Sequence, residues 1–563
     1  MTMTEALIGL RTALASTRYP LSLPGSKDAA HLAEATARQL DDYLIPRLSK
    51  LDAPLLVVAG GSTGAGKSTL VNSVVGRTVS LAGARRPTTR APVLVCHPDD
   101  AGWFNEANLL PRISRGDDFR VEPVPELVPG LALLDAPDID SVEESNRALA
   151  EQLLAAADLW LFVTTAVRYA DAVPWELLAQ ARDRGTTVAI ALNRVPPGAE
   201  DEVAPHLVEM LAEHGLSTTR MFVIPELAEP SMGPEKLLPP NVIVGIKDWL
   251  EALARSASAR SVVVRQTVEG ALTALGPTTA RLAVEADAQA DTLKTLAASV
   301  DSAYREASSE VAVGVEDGAL FRGEVLARWQ ELAGTGEFMR GLQKRVGRLR
   351  DRVVSAFTGK PLPDEELKSA LESGLVTFVH GTAADAAERA GKAWRAHPAG
   401  VALVTPELTQ ASPGIEERID RTVRDWQRGV LELVRSESTQ KLAVAKASAY
   451  AVNGLGLCLM VVVFTATAFI PTGAEIAVGA GTTIAAQKVL EAIFGDDAVR
   501  RLASYARKDL LSRVDSLLEA EAARFHKVLK ESGVDLGAGQ RLRAAAAAVR
   551  AKMGGGSDRL GAS

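Results

Sequence analysis

Up to about residue 245, short apolar runs alternate with longer stretches of helical spacing. The runs at 55–59, 91–96, 131–134, 159–163 and 188–192 read as strands, 142–157 and 174–184 as helices between them, and 221–224 as a further strand. Short buried strands separated by helices predict an α/β domain with a mainly parallel sheet. Ahead of it, Ala29, Leu32, Leu40, Tyr43, Leu44 and Leu48 recur among polar residues, so 28–48 reads as an amphipathic helix packed on this domain or on the later helical part. Beyond the domain, Ala, Leu, Arg and Glu recur at helical spacing, broken near Gly276-Pro277, 359–363, His397-Pro398 and Ser412-Pro413. That pattern predicts long helices in a bundle or stalk, without a fixed-period repeat.

The expected organisation is an N-terminal helical segment at 1–51, an α/β domain at 52–245 and a helical bundle or stalk at 246–448. An apolar helical hairpin at 449–495, C-terminal helices of the bundle at 496–553 and a disordered tail at 554–563 complete it.

Composition narrows the function classes. With 563 residues, 47% hydrophobic and 23% charged, the chain is globular and large enough for several domains. A net charge of -8 argues against a globally basic nucleic-acid binder. The segment 340–352 is basic, but it contains no aromatic residue to stack on bases, so no nucleic-acid partner is expected. It reads as a solvated or ion-paired face, or as a place for anionic lipid headgroups. Cys96 and Cys458 are the only cysteines and form neither a metal-ligand spacing nor a disulfide framework. The N-terminal stretch lacks the pattern of a secretory signal, so a cytoplasmic location is expected.

One motif carries chemistry. Gly61-Ser62-Thr63-Gly64-Ala65-Gly66-Lys67-Ser68 matches G-x-x-x-x-G-K-[ST], follows the apolar run 55–59 and opens a helical stretch that begins at Thr69. Small residues let successive backbone N–H groups turn inward around phosphates, and the helix N-terminus favours the anion. Lys67 is expected to reach the β/γ-phosphates and Ser68 to ligate Mg2+. Downstream, Thr88 and Thr89 lie between this loop and the next strand, where one hydroxyl would complete the Mg2+ shell beside the γ-phosphate; either can serve. Asp135, at the end of an apolar strand, stands where a Walker-B carboxylate reaches the metal through water. Lys67, Thr88 and Thr89 are the candidate catalytic residues. Arg85, Arg86 and Arg90 flank the threonines and read as solvated loop arginines or as a source of transition-state charge.

The order of P-loop, threonine loop, Asp135-Ala136-Pro137 and Asn193-Arg194 after the 188–192 strand resembles the GTPase class of P-loop proteins. The helical C-terminal half with its apolar hairpin looks like the bacterial dynamin-like GTPases. The motif likeness covers about 55–225, and beyond that it is architectural. It implies GTP as substrate, Mg2+ as cofactor, Asn193 and Arg194 among the nucleotide-binding residues, and hydrolysis coupled to dimerisation or higher self-assembly and to membrane remodelling at the inner face of the cell membrane. Four positions depart from the class. Asn193-Arg194-Val195-Pro196 lacks the base-reading aspartate of [NT]-K-x-D, for which Glu200, Asp201 or Glu202 would have to substitute. Asp138 stands at the glycine of D-x-x-G, Ile139 replaces the water-orienting glutamine, and Thr63-Gly64 occupy P-loop positions that many dynamins fill with glutamine and serine.

No charged residue lies between Lys446 and Glu475. As a helix, 449–470 would reach about 33 Å, comparable to a bilayer core of roughly 30 Å. A hairpin with its tip at 471–473 keeps both basic flanks on one face of a membrane, whereas a single span opposes the positive-inside tendency. The competing expectation is a buried core hairpin in a soluble, NTP-dependent switch that acts on a protein partner. A small-molecule kinase on the same P-loop would need a lid, and no lid motif is present.

Overall fold

The computed structural model describes all residues except 1, 81–91, 106–118, 141–143, 228–236, 317–363, 442–448, 465–486, 488–489, 492–493 and 555–563. The chain opens with α1 (Met3–Ser16) and α2 (Ser26–Gln39), and α2 runs through a π-helical turn at Leu40–Leu44 into α3 (Ile45–Ser49). There follow β1 (Leu55–Gly61), α4 (Lys67–Val75), β2 (Val93–Cys96), α5 (Ala101–Asn105), β3 (Arg120–Pro123), β4 (Leu131–Asp135) and α6 (Glu144–Ala155). Then come β5 (Leu159–Thr165), α7 (Ala172–Asp183), β6 (Thr187–Val195), α8 (Glu200–Glu213), β7 (Arg220–Pro225), α9 (Pro240–Arg255) and the 60-residue α10 (Ala257–Glu316).

The seven strands form one sheet in the order β3-β2-β4-β1-β5-β6-β7. Every pair is parallel except β2 with β4. The inner strands β1, β4 and β5 are buried along their whole length, which is why they read as continuous apolar runs. Strand β3 escapes that reading, because Arg120-Val121-Glu122-Pro123 is a half-exposed edge with no apolar run.

The chain divides into two compact units. One comprises Met1–Tyr19, Pro24–Gln289 and Asp535–Ser563, and the other Pro20–Leu23 and Ala290–Val534. In the first, α1 packs on the C-terminal helix Ala538–Gly554, with Leu7, Leu10 and Leu14 sharing a core with Leu542 and Val549. The sequence reading keeps 496–553 together, whereas the structure places Ala538–Gly554 with the sheet. The break expected at Gly276-Pro277 is not made: α10 continues through Pro277. An interior proline costs roughly 3 kcal/mol, and burial of Leu272, Leu275, Leu282 and Ala283 on either side of it offsets that cost.

At the N-terminal edge of the sheet, Asp158 is fully buried and fully partnered. It accepts hydrogen bonds from Arg47 Nε (2.9 Å), Tyr43 Oη (3.0 Å) and the Leu56 amide (2.7 Å), and pairs with the second Arg47 nitrogen. This network fastens the N-terminal helical segment to β1 and β5.

The second unit is helical. Asp364–Arg395, Ile415–Lys441, Ala449–Val463 and Asp496–Glu531 surround a core that includes Trp394, Trp426, Phe464 and Phe525. The indole N–H of Trp426 reaches Ala506 O at 2.8 Å and that of Trp394 reaches Leu296 O at 3.0 Å, so both large rings are buried with their polar atoms satisfied. Within the apolar segment, every residue from 455 to 464 is buried. The expected hairpin tip at 471–473, and the basic 340–352 segment, lie outside the described residues. Among the described residues no helix is long and apolar enough to cross a membrane.

Candidate functional site

Strand register brings the motif residues to one edge. Ala59 is opposite Asp135 on β4, Gly61 is opposite Val163 on β5, and Thr165 is opposite Asn193 on β6. The strand order turns about β1, and the carboxyl end of such a strand is where ligands bind in parallel α/β sheets. The loop 62–66 leaves β1 at that point and enters α4.

Two glycines in this loop are dictated by their surroundings. Gly61 has φ +151° and lies against the Val163 carbonyl, while Gly66 has φ +94° and lies against the Asn193 amide, so a side chain at either would collide. Gly66 is the N-cap of α4 and brings no side-chain cap, so the first-turn amides of that helix have neither an intrahelical acceptor nor a capping oxygen. That arrangement suits an anion.

Lys67 is buried and donates to Gly61 O at 2.9 Å, to Ser62 O at 3.1 Å and to the Asp138 carboxylate. Asp135 is buried too. Burial pushes its carboxyl above the usual range, opposed by the Ser68 and Ser80 hydroxyls and by Lys67. Ser80 Oγ donates to Oδ2 at 2.5 Å, while Oδ1 is buried with no hydrogen-bond partner among the described residues. An orphaned buried carboxylate oxygen beside a P-loop serine hydroxyl is a donor set that suits a hard cation such as Mg2+.

Asn193 donates from Nδ2 to Ala65 O at 2.8 Å, and its Oδ1 accepts the Arg194 amide at 2.9 Å. Its side chain thus braces the P-loop, and Arg194, at φ +54°, is turned out to solvent. Glu200, half-buried, accepts the Gly198 amide at 2.8 Å, and Asp201 and Glu202 are exposed on the first turn of α8. Thr88 and Thr89, with Arg85, Arg86 and Arg90, lie outside the described residues.

Three residues join the site that no motif marks. Ser80 holds Asp135. Asp140 accepts Thr63 N at 2.6 Å and Thr63 Oγ1 at 2.7 Å, and Arg168 bridges Asp140 (2.9 Å) to Thr63 O (3.1 Å). Burial pushes the Asp140 carboxyl up, but these donors outweigh it and hold the group below the usual carboxylate range. Arg168 stands just past the carboxyl end of β5, and that position was its one signal in the sequence.

Fold and site together define a P-loop α/β domain carried with a large helical body. No protein-family model matches the chain, and no curated protein matches it by sequence. Among solved structures it is similar to Era of Aquifex aeolicus bound to GDP and AlF4-, at 22% identity and a TM-score of 0.25, over 35% of this chain and 56% of that one. It is also similar to a member of an oligomerised bacterial dynamin pair described as sensing and tethering membranes, at 11% identity and a TM-score of 0.40, over 95% of this chain and 97% of that one. A third is LeoA, a bacterial dynamin GTPase from ETEC, at 11% identity and a TM-score of 0.24, over 98% and 97%. The chain spans little more than half the length of the Era chain it matches. At these identities the likeness carries no residue roles across.

Proposed function

We propose that the chain is a Mg2+-dependent GTP-binding and GTP-hydrolysing protein of the dynamin-like type, whose nucleotide state governs self-association and membrane binding. The observation that carries the hydrolase reading is the pairing of an uncapped α4 N-terminus and Lys67 with the orphaned Asp135 Oδ1. The loop amides and Lys67 bind and orient the β- and γ-phosphates, and Gly61, Gly64 and Gly66 let the backbone approach them. Ser68, Asp135 and Thr88 or Thr89 would hold Mg2+, which supplies charge neutralisation at the phosphate oxygens when bound. Asn193 fixes the P-loop against β6, and Arg194, next to it on the same strand, would face the base. The acceptor that reads guanine in [NT]-K-x-D is absent from its place, so the choice of GTP rests on the order of the motifs.

One observation favours a second reading. Residues 455–464 are buried throughout in the core of the second unit, as a soluble NTP-dependent switch acting on a protein partner requires.

Turnover of GTP and ATP by the full chain, side by side, with and without anionic liposomes, tests both. GTP-selective hydrolysis raised by liposomes is the expected result. Equal turnover of both nucleotides, indifferent to lipid and without flotation, would replace the first reading by the second.

A further inference from the structure

The P-loop lysine is engaged by the protein's own carboxylate. A lysine ammonium has three protons, and in this chain two go to the Gly61 and Ser62 carbonyls and the third to Asp138. The lysine is buried and the aspartate about a quarter exposed, so the pair is shielded from solvent on one side. Asp138 is not a loose neighbour. Its segment is stitched to the P-loop by the Ala136 amide on Ala59 O (3.2 Å), the Ile139 amide on Gly61 O (3.4 Å), and Asp140 on the amide and hydroxyl of Thr63. Arg168 closes the seam from the other side.

The atom that Asp138 engages is the one a P-loop lysine uses to meet the β- and γ-phosphates. We infer that Asp138 is a phosphate-counting residue: its carboxylate stands in for the terminal phosphate at Lys67, so the site favours a nucleoside diphosphate over the triphosphate. A diphosphate can occupy the loop amides while Lys67 stays shared with Asp138. A triphosphate brings a second anion to the same ammonium and must displace Asp138, with like-charge repulsion until it does. Displacement in turn pulls on the stitched 136–140 segment, which makes the terminal phosphate the trigger that frees it.

The inference rests on the P-loop reading above and is tested apart from it. Equilibrium affinities for GDP and for the non-hydrolysable imido analogue of GTP, both with Mg2+, are measured by fluorescence on the full chain as wild type, D138N, D138A and K67A. Melting curves establish that each variant is folded, and D138A provides the same readout if D138N does not fold. The expected result is that removing the charge lowers the ratio of triphosphate to diphosphate dissociation constants about tenfold, the scale of one charge-assisted hydrogen bond. The gain should come from tighter triphosphate binding, with diphosphate affinity changed by no more than about twofold. An unchanged ratio, or a triphosphate affinity that falls when Asp138 is neutralised, overturns the inference and leaves the P-loop reading standing. If wild type binds neither nucleotide, or K67A binds both as well as wild type does, the P-loop reading falls and the inference with it.

Discussion

Two buried aspartates stand at opposite edges of the same sheet, and their surroundings differ in kind. Asp158, at the amino-terminal edge, has both oxygens satisfied by Arg47, Tyr43 and the Leu56 amide. Asp135, at the carboxyl-terminal edge, has one oxygen held by Ser80 and the other, near the Ser68 hydroxyl, without a hydrogen-bond partner among the described residues. Both are buried to the same degree. Burial alone therefore does not distinguish the two carboxylates; the tally of donors among the described residues does. A buried group left short of partners is costly to stability, and it persists where something other than stability selects it.

The contrast can be broken most forcefully at Asp158. Asp158→Ala strands the Arg47 guanidinium inside the fold, and unfolding by denaturant should show a loss of about 3–5 kcal/mol, indifferent to Mg2+ or nucleotide. A loss below about 1 kcal/mol would mean that the network is dispensable. Next in size, Lys67→Ala should weaken nucleotide binding about a hundredfold while leaving the melting temperature of the protein alone nearly unchanged. Full retention of binding would remove the phosphate site.

Asp135→Asn sharpens the comparison because it should act in the opposite sense. Burial raises the Asp135 carboxyl, so between its unfolded and folded values the native state holds the proton more tightly, and stability falls as pH rises through that window. In EDTA at neutral pH the asparagine variant should therefore melt no lower than wild type, while losing the thermal shift that Mg2+ with nucleotide gives the native protein. A variant that melts lower in EDTA and keeps the shift would make Asp135 a second Asp158. Smallest is Ser80→Ala, which takes away the Ser80 donor on Oδ2 and should cost about 1 kcal/mol in EDTA, with the pH dependence of stability becoming steeper.

What was legible in the sequence follows from where the information sits. The P-loop motif is written in eight adjacent residues, 61–68, so it could be recognised without a fold. Strands β1, β4 and β5 were legible because both their faces are buried and their residues are continuously apolar, whereas β3, an exposed edge, leaves no such trace. Ser80, Asp140 and Arg168 were not legible, because each acquires its role only through the register of separate strands and loops. Asp138 was visible as a departure from D-x-x-G, but its partner was not. The apolar 449–470 segment was ambiguous for a physical reason: lipid and a protein core select the same side chains, and hydropathy does not distinguish them. Only the packing of 455–464 among Trp426, Phe464 and their neighbours assigns those residues to a core.

The pairing of α1 with Ala538–Gly554 reaches beyond architecture, into the order in which the protein is made. Leu7 and Leu10 are synthesised before the helical unit, and their partners Leu542 and Val549 follow only after that unit has been synthesised. At roughly 5–20 residues per second, that is a wait of about half a minute to two minutes, during which the apolar face of α1 has no final partner. The unit that carries the sheet is thus begun before the helical unit and completed after it. Any chaperone that attends this chain during translation has a long task at α1.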